Sequence, residues 1–219
     1  MATYENGIDT KKRLITAAYS RLIDNEVSAI TVREITKECG CSPAALYRHF
    51  DGIEHLLIIA SIKVYEAYLI EYSRLIKRIE EPIEQYLEGW KLFNQYAFAR
   101  PDIYYRLIWG GEQYNLEYSS GFAEYMQLFP LDRRISAQAM FYTLLFNENI
   151  DSVDYLVLQR AVNQGKMTDE DARYYSKSNP LLAKGMLESV LNKCEEDRRK
   201  AKLECDGLIM KNMERVYRS

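Results

Sequence analysis

Apolar residues recur at spacings of three and four along almost the whole chain, so it reads as a succession of helices. Leu14, Ile15, Ala18, Tyr19, Leu22 and Ile23 form the first stripe, on a helix that opens at Asp9 or Thr10 after a disordered arm of residues 1–8. Val32, Ile35 and Cys39 give a second, narrower face, and Leu46 with Phe50 a third. An unbroken pattern through Ile53, Leu56, Leu57, Ala60, Val64, Ala67, Tyr68 and Leu75 then predicts one long helix from Gly52 to about Lys77. At about 1.5 Å per residue it spans about 38 Å, too long to stay inside a fifty-residue head.

Proline and glycine mark out the rest. Pro82 opens a helix carrying Ile83, Tyr86, Leu87, Trp90, Phe93 and Ala97, and Pro101 opens a shorter one. Residues 117–129 form an aromatic-rich helix broken by Pro130, residues 136–146 a buried one, and residues 151–164 one ended by Gly165. Thr168 and Asp171 cap a short charged helix, and Pro180 begins a last element running to Arg218. Its apolar positions Leu182, Met186, Val190 and Leu191, with Ala183 and Gly185 permitting close approach, are the expected dimer interface. Residues 195–202 are too charged to bury and place Glu195–Arg199 and Glu196–Lys200 at i,i+4 spacing. No strand pattern is present, and the expected class is all-α.

Residues 31–50, TVREITKECGCSPAALYRHF, organise the chain. Thr31 and Glu34 have capping-box spacing, Gly40 is a helix stop, and Ser42 followed by Pro43 starts a second helix. Helix, glycine turn and capped helix is the layout of a helix-turn-helix, whose second helix enters the DNA major groove. Tyr47, Arg48 and His49 lie between the inward Leu46 and Phe50 with no apolar reason to be there.

The string from TVREI through CGCS and LYRHF to Glu54 and Leu56–Leu57 resembles the DNA-binding segment of the tetracycline-repressor (TetR) family of bacterial transcription regulators. The resemblance covers roughly the first quarter to third of the chain and implies a DNA-binding head, residues 1–51, followed by a helical ligand-binding and dimerisation domain, residues 52–219. It implies that the long helix from Gly52 connects the two. On the head, Tyr47 and His49 match positions that contact phosphates. Arg48 can reach a guanine, and Ser42, Pro43, Ala44 and Ala45 form a helix start able to approach phosphate or base edges. Thr31 and Arg33 sit at the phosphate-facing end of the preceding helix. One departure stands out: many family members carry a lysine three residues after the phenylalanine, and here that position is Ile53.

Charge makes the DNA reading depend on a local patch. The 219 residues carry a formal net charge of −3. Within residues 1–50, Lys11, Lys12, Arg13, Arg21, Arg33, Lys37 and Arg48 stand against Glu5, Asp9, Asp24, Glu26, Glu34 and Glu38, a net of +1. Lys11, Lys12 and Arg13 read equally as a solvated helix end or as phosphate contacts.

For the second domain the resemblance implies a small-molecule effector. Trp90, Phe93, Tyr96, Tyr104, Trp109, Tyr125, Phe141 and Phe146 are the candidate lining, although core packing is the alternative for each. The expected partners are double-stranded operator DNA, an effector of unidentified structure and a second copy of the chain, with no membrane, no metal and no cofactor. Two histidines and four cysteines without a CxxC pair supply no zinc pattern. The cysteines read as half-buried thiols, with a redox role as the alternative. No phosphate loop, HExxH or GxSxG is present, so no enzyme is expected. The N-terminus lacks a signal-peptide core, and a cytoplasmic location is the expectation. The function expected is a DNA-binding transcriptional regulator, a repressor released by its effector. The alternative is a ligand-binding protein of the same fold with weak or lost operator binding.

Overall fold

Helix ends fall where local chemistry puts them. In a computed structural model, which describes residues 2–109, 118–139, 150–192 and 197–217, the regular elements among the described residues are all helical. They are α1 (Ala2–Asp24), a short 3-10 turn (Val27–Ala29), α2 (Val32–Glu38), α3 (Pro43–His49) and α4 (Ile53–Arg78). After these come α5 (Pro82–Ala99), α6 (Pro101–Trp109), α7 (Tyr118–Leu128), α8 (Ile150–Asn163), α9 (Asp169–Leu191), α10 (Arg198–Asn212) and α11 (Glu214–Tyr217). No helix among the described residues is long and apolar enough to cross a membrane.

The expected breakers act as read: Gly40 and Gly165 adopt φ of 64° and 71°, which side chains with a Cβ rarely enter. Glu81 caps α5 through the N–H of Glu84, and Thr168 caps α9 through that of Asp171. Several expectations are corrected. Helix α1 begins at Ala2, not after an arm of eight residues. Asp51 does not cap α4. The first helical bond there runs from Leu56 N–H to the Gly52 carbonyl, and the Asp51 N–H donates to His55 Nδ1 at 3.3 Å. Pro180 lies inside α9, buried, rather than at a helix start. Its ring already holds a helical φ, and the bond it denies the Ser176 carbonyl does not end the helix. The last element is two helices, with Asp197 capping α10 through the N–H of Lys200. Expectations that rest on Phe141, Phe146, Cys194, Glu195 and Glu196 lie outside the described residues.

The backbone divides into two units, residues 1–67 with 110–132, and residues 68–109 with 133–219. In the first unit α1 lies against α2 and α3. Leu14, Ile15, Ala18, Leu22, Ile35, Leu46, Phe50, Leu56 and Leu57 form its core, while Ile23, expected on the same stripe, is exposed. Helix α7 belongs to this unit. Tyr125 donates to Glu66 at 3.1 Å, Phe122 meets Tyr65 edge-on at 6.5 Å, and Lys63 sits over the rings of Tyr19 and Phe129 at 4.9 and 5.3 Å.

The second unit holds α5, α6 and α8–α10 around an aromatic core. Phe93 packs against Trp90 at 5.5 Å, Tyr104 at 5.9 Å and Trp109 at 6.1 Å, all near edge-to-face. At its centre is a buried carboxylate. Asp154 Oδ2 accepts from the Tyr86 hydroxyl at 2.6 Å and the Trp90 indole N–H at 3.1 Å. Asn179 donates to the Tyr86 oxygen at 3.0 Å, and Asn212 donates to Asn179 at 2.9 Å. This chain of bonds ties α5, α8, α9 and α10 together. Gln85 of α5 satisfies the carbonyls of Ile76 and Ile79 at the end of α4, at 3.1 and 2.6 Å, and accepts from Arg160 of α8 at 2.7 Å. Of the residues expected at a dimer interface, Ala183 and Val190 are buried within the single chain. Leu182, Met186 and Leu191 are half-buried, and the exposed large apolar residues of α9 and α10 are Tyr174, Leu181 at 66 %, Leu203, Leu208 and Met210.

Candidate nucleic-acid interface

The helix-turn-helix is built by a short set of local bonds. Thr31 and Glu34 form a complete capping box: the Glu34 N–H donates to Thr31 Oγ1 at 3.3 Å and the Thr31 N–H to Glu34 Oε2 at 3.0 Å. The Thr31 hydroxyl also donates to that carboxylate at 2.7 Å, and these bonds hold the Glu34 carboxyl below its ordinary range. Helix α2 ends with the N–H of Cys39 on the Ile35 carbonyl at 3.1 Å and that of Cys41 on the Thr36 carbonyl at 2.9 Å, across the left-handed Gly40. Thr36, which the apolar pattern passed over, is buried with its hydroxyl on the Val32 carbonyl at 2.9 Å. Ser42 takes the N-cap position of α3 without a side-chain cap bond, so its exposed hydroxyl is not consumed by the helix.

Helix α3 presents Ser42, Pro43, Ala44, Tyr47 and Arg48 to solvent, and Tyr47 is 60 % exposed. Ala45 turns inward at 4 % exposed and packs the head with Leu46. His49 is half-buried. A methyl group placed on Gly7 of α1 would lie 3.8 Å from its Cε1, so the early turns of α1 flank the end of α3. Burial, then the charges of Lys11 and Arg48, lower the His49 pKa from its ordinary value.

Several cations of the head are already engaged. Lys11 pairs with Glu124 of α7 at 2.7 Å and lies 5.3 Å from the Phe50 ring centre. Arg21 pairs with Glu38 at 2.6 Å, and Arg13 with Asp9 at 3.5 Å. Lys12, Arg33, Lys37 and Arg48 have no ion pair with any described residue, and Arg33, Lys37 and Arg48 are exposed. Glu124 was invisible to sequence reasoning, because it reaches Lys11 across more than a hundred residues. Ile53, at the lysine position of many family members, is the half-buried first residue of α4.

Of the aromatic residues considered for a ligand, Trp90, Phe93 and Tyr104 are buried, Tyr96 and Trp109 half-buried, and all five belong to the second unit. Tyr125 belongs to the first. The Trp90 N–H is committed to Asp154. Among the described residues no cluster of His, Cys, Asp or Glu is arranged to hold a metal ion.

Residues 14–58 match the family model described as bacterial regulatory proteins, tetR family. No curated protein matches the chain. Among solved structures it is similar to a TetR transcriptional regulator from Rhodococcus sp. RHA1, at 15% identity and a TM-score of 0.50, covering 96% of this chain and 97% of that one. It is also similar to a TetR transcription regulator from Haloarcula marismortui ATCC 43049, at 18% identity and a TM-score of 0.50, covering 91% and 95%. At such identities the likeness concerns the fold, and the motif itself comes from the matched segment. With the capping box, the left-handed glycine and the exposed face of α3 in place, residues 14–58 are a DNA-binding helix-turn-helix of the kind found in tetR-family regulators, on a chain that shares the fold of the two regulators named above.

Proposed function

We propose that the protein is a homodimeric repressor that reads a palindromic operator through α3 and is released from it by a small-molecule effector. The observation that carries the DNA half is the exposed Tyr47–Arg48 face directly after a completed helix-turn-helix turn. Ser42, Pro43, Ala44, Tyr47, Arg48 and His49 form the contact surface, with Thr31 and Arg33 at the phosphate-facing end of α2. Residues 1–51 act as the reading head and residues 52–219 as the ligand-binding and dimerisation domain. Helix α4 belongs to both, so an effector that prefers one arrangement of the aromatic helices biases the head. Linkage then requires operator DNA to weaken the effector by the same factor, about 5–150-fold in typical cases. The protein acts in the cytoplasm, where its operator is, and performs no catalysis.

The test is titration of the full chain against its own upstream DNA and a scrambled duplex at several stated salt concentrations. The expected result is a specific complex whose log–log salt slope changes by about 0.9 for each phosphate neutralised. Arg33→Ala shrinks that slope by about one phosphate without changing sequence preference. Equal, weak binding to both duplexes supports the second reading, a regulator fold that has lost its operator. Two observations favour that reading: Ile53 replaces a basic residue, and three head cations are held by carboxylates.

The dimer follows from the two-fold symmetry of palindromes, whose half-sites lie about 34–36 Å apart. Leu181, Leu203, Leu208 and Met210 lie on α9 and α10, which pack on each other, and are the apolar residues a second copy would cover. Sedimentation equilibrium at micromolar concentration is expected to show a dimer for the wild type and a monomer for Leu203→Glu. A wild-type monomer with full operator affinity contradicts the proposal.

A further inference from the structure

Cys39 and Cys41 flank Gly40 in the turn between α2 and α3, and their Sγ atoms stand 2.8 Å apart. This is well inside ordinary contact for two thiols and about 0.8 Å longer than a disulfide bond. The two sulfurs are brought together by the backbone. The left-handed Gly40, at φ 64°, reverses the chain, and bonds from the N–H groups of Cys39, Gly40 and Cys41 to the carbonyls of Ile35, Lys37 and Thr36 hold it there. Both thiols are half-buried, so a small oxidant can reach them. Cys39 Sγ also lies 3.6 Å from the Thr36 carbonyl, and neither cysteine is among the DNA-contact residues proposed above.

We propose that Cys39 and Cys41 form a reversible dithiol–disulfide site within the helix-turn-helix, closed by low-molecular-weight disulfides, and that closing it lowers DNA affinity. The second half rests on the DNA-binding reading. In the first step the Cys39 thiolate attacks one sulfur of the small disulfide. That S–S bond breaks, and one thiolate leaves and takes up a proton. The Cys41 thiol then gives up its proton and attacks Cys39 Sγ, expelling the second small thiolate, which is protonated in turn. Two protein thiols are oxidised by two electrons and one small disulfide is reduced to two thiols. Burial and the adjacent Cys39 push the Cys41 thiol up to about 11, against the charge of Arg13, so closure speeds up as pH rises through the neutral range. A ring over one intervening residue gains little loop entropy and is readily reopened by a thiol. Drawing the sulfurs together shifts the segment leading into Ser42 and Pro43, the start of α3. Recognition geometry tolerates displacements of only about 0.5 Å.

The experiment treats the reduced full-length protein with oxidised glutathione, alkylates the remaining thiols and digests with trypsin. Cleavage after Lys37 and Arg48 places both cysteines on one peptide, residues 38–48. The expected product is that peptide two hydrogens lighter and unalkylated, restored by a thiol reductant. Cys39→Ser and Cys41→Ser variants are expected to stop at a glutathione adduct. A wild-type peptide carrying two glutathiones or two alkyl groups overturns the disulfide. In parallel, affinity for the upstream duplex is expected to drop about tenfold or more on oxidation, the scale of one lost base contact. The drop should reverse on reduction and be absent in the double serine variant. Unchanged affinity with the link proven overturns the gating. A reduced wild type that binds no duplex removes the gating together with the DNA reading, while the mass measurement still decides the disulfide.

Discussion

Asp154→Ala is expected to destabilise the second unit by about 3 kcal/mol, the cost of leaving two buried donors without their charged acceptor. The carboxylate is 6 % exposed and takes both the Tyr86 hydroxyl and the Trp90 indole N–H on one oxygen. Tyr86 is fixed as a donor, because burial and the adjacent Asp154 charge hold its pKa well above the ordinary value. Removing the carboxylate leaves the Tyr86 proton pointing at nothing while Asn179 still donates to its oxygen. For a chain of this size the loss corresponds to roughly 6–12 °C in Tm. Asp154→Asn keeps an acceptor without the charge, so it is expected to fall between alanine and wild type. Thermal or urea unfolding of the three proteins decides it. A change under about 0.5 kcal/mol for the alanine variant means the network is ornamental.

That network was not legible in the sequence, whereas the helix-turn-helix itself was. Thr31–Glu34, Gly40 and Pro43 act within four residues of themselves, and the physics of caps and turns is local, so spacing alone determines them. Helices α4 and α5 were legible for the same reason. Asp154 reaches Tyr86 and Trp90 over separations of 68 and 64 residues, and no period in the sequence marks such a pair. Trp90 read as a possible pocket wall, and no spacing marked that its indole N–H is bound to a carboxylate. The same blindness hid Glu124, which neutralises Lys11. Pro180 failed differently. A rule that is sound for an isolated segment placed a helix start there, and burial of the proline inside a 23-residue helix overrode it. Val190 shows the limit of reading an apolar stripe: the stripe identifies a face that is covered, and the chain's own core covers it.

Arg48→Ala is expected to cost about 1–3 kcal/mol on the cognate operator and much less on scrambled DNA, if the guanidinium reads a guanine edge. Arg48 is exposed, lies next to Tyr47 and has no carboxylate partner among the described residues, so its donors are free to turn to a base. Tyr47→Phe removes one hydroxyl and is expected to weaken every sequence alike, because a phosphate contact positions the head without reading sequence. His49 supplies a third signature through pH. Burial and the charges of Lys11 and Arg48 lower its pKa in the free head, which disfavours the imidazolium there. A phosphate beside it favours the imidazolium and raises its pKa in the complex. The complex then binds the extra proton, and affinity must rise as pH falls between about 7 and 6. His49→Gln flattens that rise. The sign discriminates, since a histidine that merely packed against α1 would destabilise the free head on protonation and weaken binding at low pH. Titrating the three variants against operator and scrambled duplex separates the roles. Equal, negligible losses for Arg48→Ala and Tyr47→Phe would remove α3 as the recognition helix, whatever else the chain binds.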